Sequence, residues 1–396
     1  MNFVFLSPNF PENYWMFIRG LKRNGLRTLG IGDCPYDNLA PELKAELDEY
    51  YKVDTLEDYD QVYRGVAYFA FKYGKIDWLE SNNEYWLLRD AKLRDDFNIN
   101  TGIKSDKIQF IRYKHMMKEC YEKAGVPSAR WHLVSDLEGC QEFIKTVGYP
   151  VIVKPDNGVG AAATYKVKSD EELVNFYNSY DKSVPYIMEE FVKGDLYSFD
   201  GIVNSKGEII FETAHCYPDP IMDIVNEQLD SYFWSLKKIP DNLREAGHKT
   251  IENFPCRSRF FHCEFFKLTE DREGLGKKGD IVGLEVNMRP PGGSIPDMMN
   301  YANEIDVYQI WADMVAYDKS EYSKERPYYC VFYGRRDENH YAYSFEEVKN
   351  EFNTNTRLHI RLPEVLGRAM GNDVLISVFT TKDELDKFIK MCYKKA

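Results

Sequence analysis

Two rhythms of apolar and polar positions alternate through the first hundred residues. NFVFL (2–6), LRTLGI (26–31) and IDWL (76–79) are short apolar runs of strand length. Between them, Tyr14, Phe17, Ile18 and Leu21 recur at helical spacing, as do Val62, Val66 and Phe69. Strands alternating with amphipathic helices predict a parallel sheet covered by helices, a small Rossmann-like unit over residues 1–106. LSPNFPEN follows the first strand where a G-x-G-x-x-G would stand, which disfavours a dinucleotide site.

The pattern changes after residue 106. KIQFIRYKHMMKECYEKAG reads as helix closed by Gly125 and Pro127, then comes a short strand, ARWHLV, and a further helix. In YPVIVKPDNGVGAAATYKV (149–167) two β-branched runs flank a Gly/Ala-rich tip, which predicts a hairpin. PYIMEEFVKGDLYSFDGIVN, EIIFETAHC, RFFHCEFFKL and DIVGLEVNMRP continue as strands, and the charged, Gly-containing KLTEDREGLGKKGD joins the last two. The tail beyond residue 320 has its own strand runs, YYCVFYG and VLISVFT, and ends in an amphipathic helix. These textures predict three units: 1–106, 107–320 with a lid over about 120–190, and a small C-terminal subdomain, 321–396.

Composition narrows the function classes. A 396-residue chain with 44% apolar and 29% charged residues is globular and suits two or three domains. Its net charge of −13, with no long basic run, repels a polyphosphate backbone, so nucleic acid is not an expected partner. No run of eighteen apolar residues predicts a membrane span, and the N-terminus has no signal-peptide pattern, so a soluble cytoplasmic protein is expected. The eight cysteines are scattered without C-x-x-C spacing and read as reduced, mostly buried thiols.

Candidate chemistry lies on two strands. Residues two apart on a strand share a face, so His262 and Glu264 point one way, and Glu285, Asn287 and Arg289 share one side of theirs. If the strands pair, Glu264 and Glu285 face each other, and like charges about 4 Å apart cost roughly 4 kcal/mol unless a cation compensates. Two carboxylates and an amide oxygen suit Mg²⁺ or Mn²⁺ that keeps positions for phosphate and water. Alone, E-x-N-x-R is an ordinary solvated strand face. Pro290, Pro291, Gly292 and Gly293 then form a turn that brings backbone N–H groups near whatever Arg289 holds. Lys154 ends a strand just before the small-residue tip that includes Gly158 and Gly160, where the backbone can approach a phosphate; a surface hairpin is the plain alternative. MEEFVKGD (188–195) is either a strand end or a linker on which an adenine rests.

Lys114, Lys154 with its Gly-rich loop, the Glu189–Asp195 hinge, Glu264, and Glu285-x-Asn287-x-Arg289, in this order, resemble the ATP-grasp superfamily. The segment before them resembles the pre-ATP-grasp domain of biotin carboxylase and carbamoyl-phosphate synthase large subunits, so the likeness covers roughly residues 1–315. It implies an α/β and α+β architecture: a Rossmann-like pre-ATP-grasp domain, a two-lobed ATP-grasp fold and a small C-terminal subdomain. It also implies that Lys114, Lys154, Gly158 and Gly160 contact ATP phosphates, that Glu189 with the backbone of Glu190, Phe191 and Val192 holds adenine, and that Asp195 holds ribose. Glu264, Glu285 and Asn287 would bind Mg²⁺, and Arg289 with Lys154 would stabilise the transferred phosphoryl group.

Two departures qualify the likeness. RPPGGSIPDMM replaces the Q-V-E-H-like segment of biotin carboxylases, which argues against bicarbonate and towards carboxylate–amine ligases. Ala161 to Ala163 stand where Gly is frequent, which stiffens the tip. The expected activity is ATP-dependent joining of a small carboxylic acid to an amine through an acyl-phosphate. A carboxylate or carbamate kinase and a non-catalytic ATP-binding module are the rivals. Arg257 and Arg259, just ahead of the first metal strand, are candidate carboxylate forks, with salt bridging as the alternative. Asn82 and Glu84, just after the IDWL strand of the N-terminal unit, fall where doubly wound sheets hold ligands. Family members often dimerise, so a homodimer is the assembly the resemblance offers.

Overall fold

A computed structural model of the chain describes residues 1–158, 163–218, 229–362, 367 and 370–396. The N-terminal apolar runs form a parallel sheet of β1 (Asn2–Leu6), β2 (Arg27–Gly32), β3 (Glu49–Lys52) and β4 (Trp78–Glu80), ordered β3-β2-β1-β4. Helices Trp15–Arg23, Tyr59–Tyr73 and Leu87–Asp96 cover it. β3 has the polar sequence EYYK and carries no apolar run that could have announced it.

A second, antiparallel sheet comprises β5 (Trp131–Leu133), β6 (Val151–Pro155), β7 (Tyr165–Val167) and β8 (Tyr186–Glu190), ordered β5-β8-β6-β7. The expected hairpin is β6 against β7, with Val151 opposite Val167. Its tip, including Gly160, Ala161 and Ala162, lies outside the described residues.

The third sheet has eight strands: β9 (Gly194–Val203), β10 (Ile209–Tyr217), β11 (Ser231–Ser235), β12 (Arg259–Leu268), β13 (Ile281–Asn287), β14 (Tyr329–Arg335), β15 (Thr356–Arg361) and β16 (Asp373–Phe379). Their order is β13-β12-β9-β10-β11-β14-β16-β15. The segment 185–204 is thus two strands in two sheets, β8 and β9, separated by the Phe191–Lys193 linker. β14, β16 and β15 from the tail extend the large sheet through β11 rather than building one of their own. The largest core joins the two ends of the chain: Phe3, Phe17, Tyr308 and Trp311 pack together, with Phe17–Trp311 ring centroids 5.0 Å apart. No described helix is long and apolar enough to cross a membrane.

Candidate active site

A cleft of about 740 Å³ lies between the second sheet and one face of the eight-stranded sheet. β12 and β13 pair antiparallel with Glu264 opposite Glu285 and His262 opposite Asn287. Opposed residues hold their Cβ atoms about 5 Å apart, so two carboxylates face the cleft side by side. An extra residue in β13 after Gly283 breaks the strict alternation. Leu284, expected on the buried face, therefore joins the cleft lining.

Helix Lys114–Ala124 brings the cations. Residues four apart on a helix lie on one face, so Lys114 and Lys118 both point to the cleft floor. The helix can come this close because β13 has no side chain at Gly283: a Cβ there would lie 2.4 Å from the Tyr121 ring. Lys114 Nζ lies 3.9 Å from Glu285 and donates to the Gly158 carbonyl oxygen at 3.3 Å.

Glu189 is buried between Lys118 Nζ at 3.2 Å and Lys154 Nζ at 3.1 Å. Burial pushes its pKa up, but the two ammonium groups outweigh burial and hold it at about 2. Burial lowers the pKa of Lys118, while Glu189 and the strand carboxylates keep Lys154 above its usual value against the same penalty. Lys154 is therefore a fixed cation, oriented before any anion arrives.

Behind the carboxylates runs a buried relay. Asp200 Oδ2 accepts from Ser198 Oγ at 2.6 Å and bonds His215 Nδ1 at 2.8 Å, while Oδ1 bonds His262 Nδ1. His262 Nε2 lies 3.4 Å from Glu264 Oε1. Burial opposes a charge on His262, yet Asp200 and Glu264 push its pKa up to about 9. The same imidazole draws the Asp200 and Glu264 carboxyls down despite burial. Glu264, Glu285 and Asn287 all line the cleft, and no three His, Cys, Asp or Glu side chains among the described residues are arranged to hold a metal ion by themselves. An all-oxygen donor set of two carboxylates and one amide on adjacent strands fits a hard divalent cation that retains other ligands.

The other expected site residues separate into those at the cleft and those away from it. Lys114, Lys154, Gly158, Glu189, Phe191, Val192, Glu264, Glu285, Asn287 and Arg289 line it. Glu190 lines it by its backbone alone: its carboxylate is turned away into a bidentate pair with Arg130, at 3.0 and 2.7 Å, and a contact with Arg272 at 3.3 Å. Asp195 does not reach the cleft. Gly194 and Leu196 face the cleft from β9, so strand alternation turns Asp195 to the opposite, exposed side. This corrects its ribose assignment.

The four substrate candidates also fall apart. Arg259 is buried outside the cleft, donating from Nε to the Met288 carbonyl at 2.6 Å and pairing with Glu80 at 3.4 Å. Glu80 also binds Arg94 at 2.8 Å, so Arg259 ties the large sheet to the N-terminal sheet and has no fork to offer a substrate. Arg257 is exposed on the far side of that strand end, its guanidinium against Gly207. Asn82 is buried behind the cleft wall with no hydrogen bond to its amide, and its carbonyl accepts from Tyr14 Oη at 2.7 Å. Glu84 is the exception in effect: it bridges Arg112 at 2.6 Å and Arg289 at 3.2 Å, holding Arg289 at the cleft rim.

Sequence reasoning passed over Lys118, Asp200 and the aromatic wall of Tyr217 and Phe233. Helical spacing from Lys114 marked Lys118, and alternation in YSFDG put Ser198 and Asp200 on one face. Tyr217 and Phe233 had no such signal, because the pairing that joins them is not local.

Residues 106–194 match the family model described as carbamoyl-phosphate synthase L chain, ATP binding domain. An L-arginine-specific L-amino acid ligase of Bacillus subtilis is 23% identical over 325 residues, covering 80% of this chain and 76% of that protein. Among solved structures, an L-amino acid ligase from Bacillus licheniformis superposes with a TM-score of 0.72 at 13% identity, over 98% of this chain and 96% of that one. The biotin carboxylase domain of a Hydrogenobacter thermophilus 2-oxoglutarate carboxylase, solved as a dimer with MgADP and bicarbonate, gives 0.67 at 17% identity, over 98% and 89%. At those identities the structural likeness establishes the fold.

Proposed function

From the ATP-grasp fold that this chain carries, we propose that it is an ATP-dependent carboxylate–amine ligase acting on small molecules. One observation carries the reading: Glu264 and Glu285 face each other across β12 and β13, in a single cleft with Lys114, Lys154 and Arg289. Phosphoryl transfer needs positioning and neutralisation of charge, and that set supplies both.

Adenine rests against the Glu190–Val192 backbone and the apolar surface of Val192. Lys114 and Lys154 hold the phosphates, with Lys154 preset by Glu189. Glu264, Glu285 and Asn287 hold Mg²⁺, which supplies charge neutralisation and Lewis acidity at the transferred phosphate. A carboxylate oxygen of the acid bonds to the γ-phosphorus while the bond to the bridging oxygen breaks and ADP leaves. Arg289, steadied by Glu84, stabilises the negative charge on the acyl-phosphate. The amine nitrogen then attacks the acyl carbon, the carbon–oxygen bond to phosphate breaks, and the nitrogen loses a proton as phosphate departs. The lid sheet over the cleft keeps water from the acyl-phosphate. The cysteines, free where described, suit a reducing compartment, and we assign the cytoplasm.

The test is ADP release from MgATP over a panel of acids and amines. A ligase releases ADP and phosphate only when both partners are supplied and yields an amide by mass spectrometry. ADP formed with an acid alone, alongside a stable phosphorylated acid, would make it a kinase.

A further inference from the structure

We infer that the acid carries an aromatic or large aliphatic side chain, lodged in an arm of the cleft walled by Tyr217, Phe233, Ile295 and Met370. The inference rests on the ligase reading and adds the substrate class to it. The cleft has a charged middle, where Lys114, Lys154, Glu264, Glu285 and Arg289 converge, and apolar surface on either side. One apolar side belongs to the Phe191–Val192 linker between the sheets.

The other apolar side runs sideways across the large sheet. Tyr217 is on β10 and Phe233 on β11, two and three strands from the Glu264 strand β12, which is about 10 and 14 Å. Register places them on the cleft face: Tyr217 pairs with Leu196 of β9, and Leu196 in turn with Phe266 of β12. The Tyr217 and Phe233 rings stack at 4.9 Å and 25°, and Phe233 stacks on Phe332 at 4.9 Å and 15°. The wall is thus a rigid column of rings whose free end borders the cleft.

The arm opens onto the Arg289 turn. Ile295 starts the helix that follows this turn, and Met370 lies over Gly293, where a Cβ would come within 3.0 Å of its Cε. An acid whose carboxylate is held at Arg289 and the paired glutamates therefore directs its substituent along these four side chains. None of the four is charged, so a charged substituent would lose hydration against them and find no ion partner among them, whereas an aromatic or branched aliphatic one would add to the stack.

Steady-state ADP release with MgATP and one saturating amine, over glycine, alanine, leucine, phenylalanine, arginine and glutamate as the acid, tests this. Leucine and phenylalanine should exceed glycine, arginine and glutamate in kcat/KM by on the order of 10-fold or more. Met370→Trp, which fills the arm, should lower kcat/KM for phenylalanine at least 10-fold relative to alanine, with ATP affinity by nucleotide titration unchanged; Ile295→Ala should change the same ratio without blocking nucleotide. Preference for glycine or a charged acid, preference for bulk on the amine alone, or Met370→Trp affecting all acids alike would overturn the inference and leave the ligase reading standing. ADP release with none of these acids and any amine would overturn the ligase reading and this inference with it.

Discussion

Two clusters of charge lie on β12, one at its start around Arg259 and one at mid-strand around Glu264, and only the second opens to the cleft. At the Arg259 end, Glu80 and Asp90 meet Arg94 and Arg259, two anions and two cations between the N-terminal sheet and the large sheet. Burial and the neighbouring Glu80 push Asp90 up to about 7, so the arginines are left to the Glu80 carboxylate, which they hold below its usual range despite burial. The Glu264 cluster lacks such closure. Glu264 and Glu285 stand side by side, with His262 against one and Lys114 3.9 Å from the other, and their remaining oxygens face the cleft. The first cluster is shut between two sheets with its charges paired internally; the second is under-compensated and invites a cation.

Mutations should separate the two clusters. Glu285→Ala should have the largest effect on function: loss of turnover by a factor of about 10³ or more, on the scale of losing a transition-state electrostatic contact. Far-UV circular dichroism should stay native, because Val286 and Ile281, packed in the core on the other side of β13, still anchor the strand. A variant that kept wild-type kcat would remove Glu285 from the metal set. Arg259→Met should do the reverse. Breaking a buried pair costs about 3–5 kcal/mol, so its urea midpoint should drop, while KM for ATP under native conditions should hold. Loss of nucleotide affinity with stability intact would put Arg259 back at the substrate.

A subtler distinction concerns His262, which belongs to the open cluster but is itself satisfied by Asp200. His262→Gln keeps a hydrogen-bonding side chain and removes the charge. By analogy with partners that orient metal ligands, Mn²⁺ affinity should fall about 10- to 100-fold in a direct titration, with ATP affinity in the absence of metal little changed. The pH dependence of stability follows from the two shifts. His262 is raised from 6.5 to about 9, so its contribution is full below pH 6.5 and drains away as pH rises through 9. Asp200 is lowered from 3.8, so its contribution is present above that pH and is lost in acid. The wild type should therefore exceed the variant most near neutrality, and the difference in Tm should shrink between pH 6.5 and 9. A difference independent of pH over that window would mean that His262 is not charged.

The open cluster was legible in the chain because it depends on a local rule. Alternation on two strands put Glu264 and Glu285, Asn287 and Arg289 on matching faces, and pairing needed only to bring those faces together. The closed cluster was not legible. Arg259 and Glu80 are 179 positions apart, and nothing near either residue says that the other will neutralise it. Asp195 failed for a different reason: the hinge motif was read as a loop up to residue 195, whereas β9 begins at Gly194 and imposes alternation one residue earlier. The polar strand β3 and the extension of the large sheet by the tail likewise depend on pairing between segments far apart in the chain.

Arg257 should give the smallest effect and thereby set the baseline for the others. It lies two residues from Arg259 and was an equal candidate for the acid, yet it is exposed, is not among the residues that line the cleft, and donates to the neighbouring Cys256 carbonyl. Its guanidinium covers the Asn204–Gly207 turn, where Gly207 has φ +87 and could not carry a side chain without meeting it. Truncation at such a position removes some surface packing and no buried partner. Arg257→Ala should then shift unfolding free energy by about 0.5 kcal/mol or less and leave KM for every acid within error. A rise in KM confined to the acid would mean that the approach to the cleft passes over this strand end, and the division between the closed and open clusters on β12 would have to be redrawn.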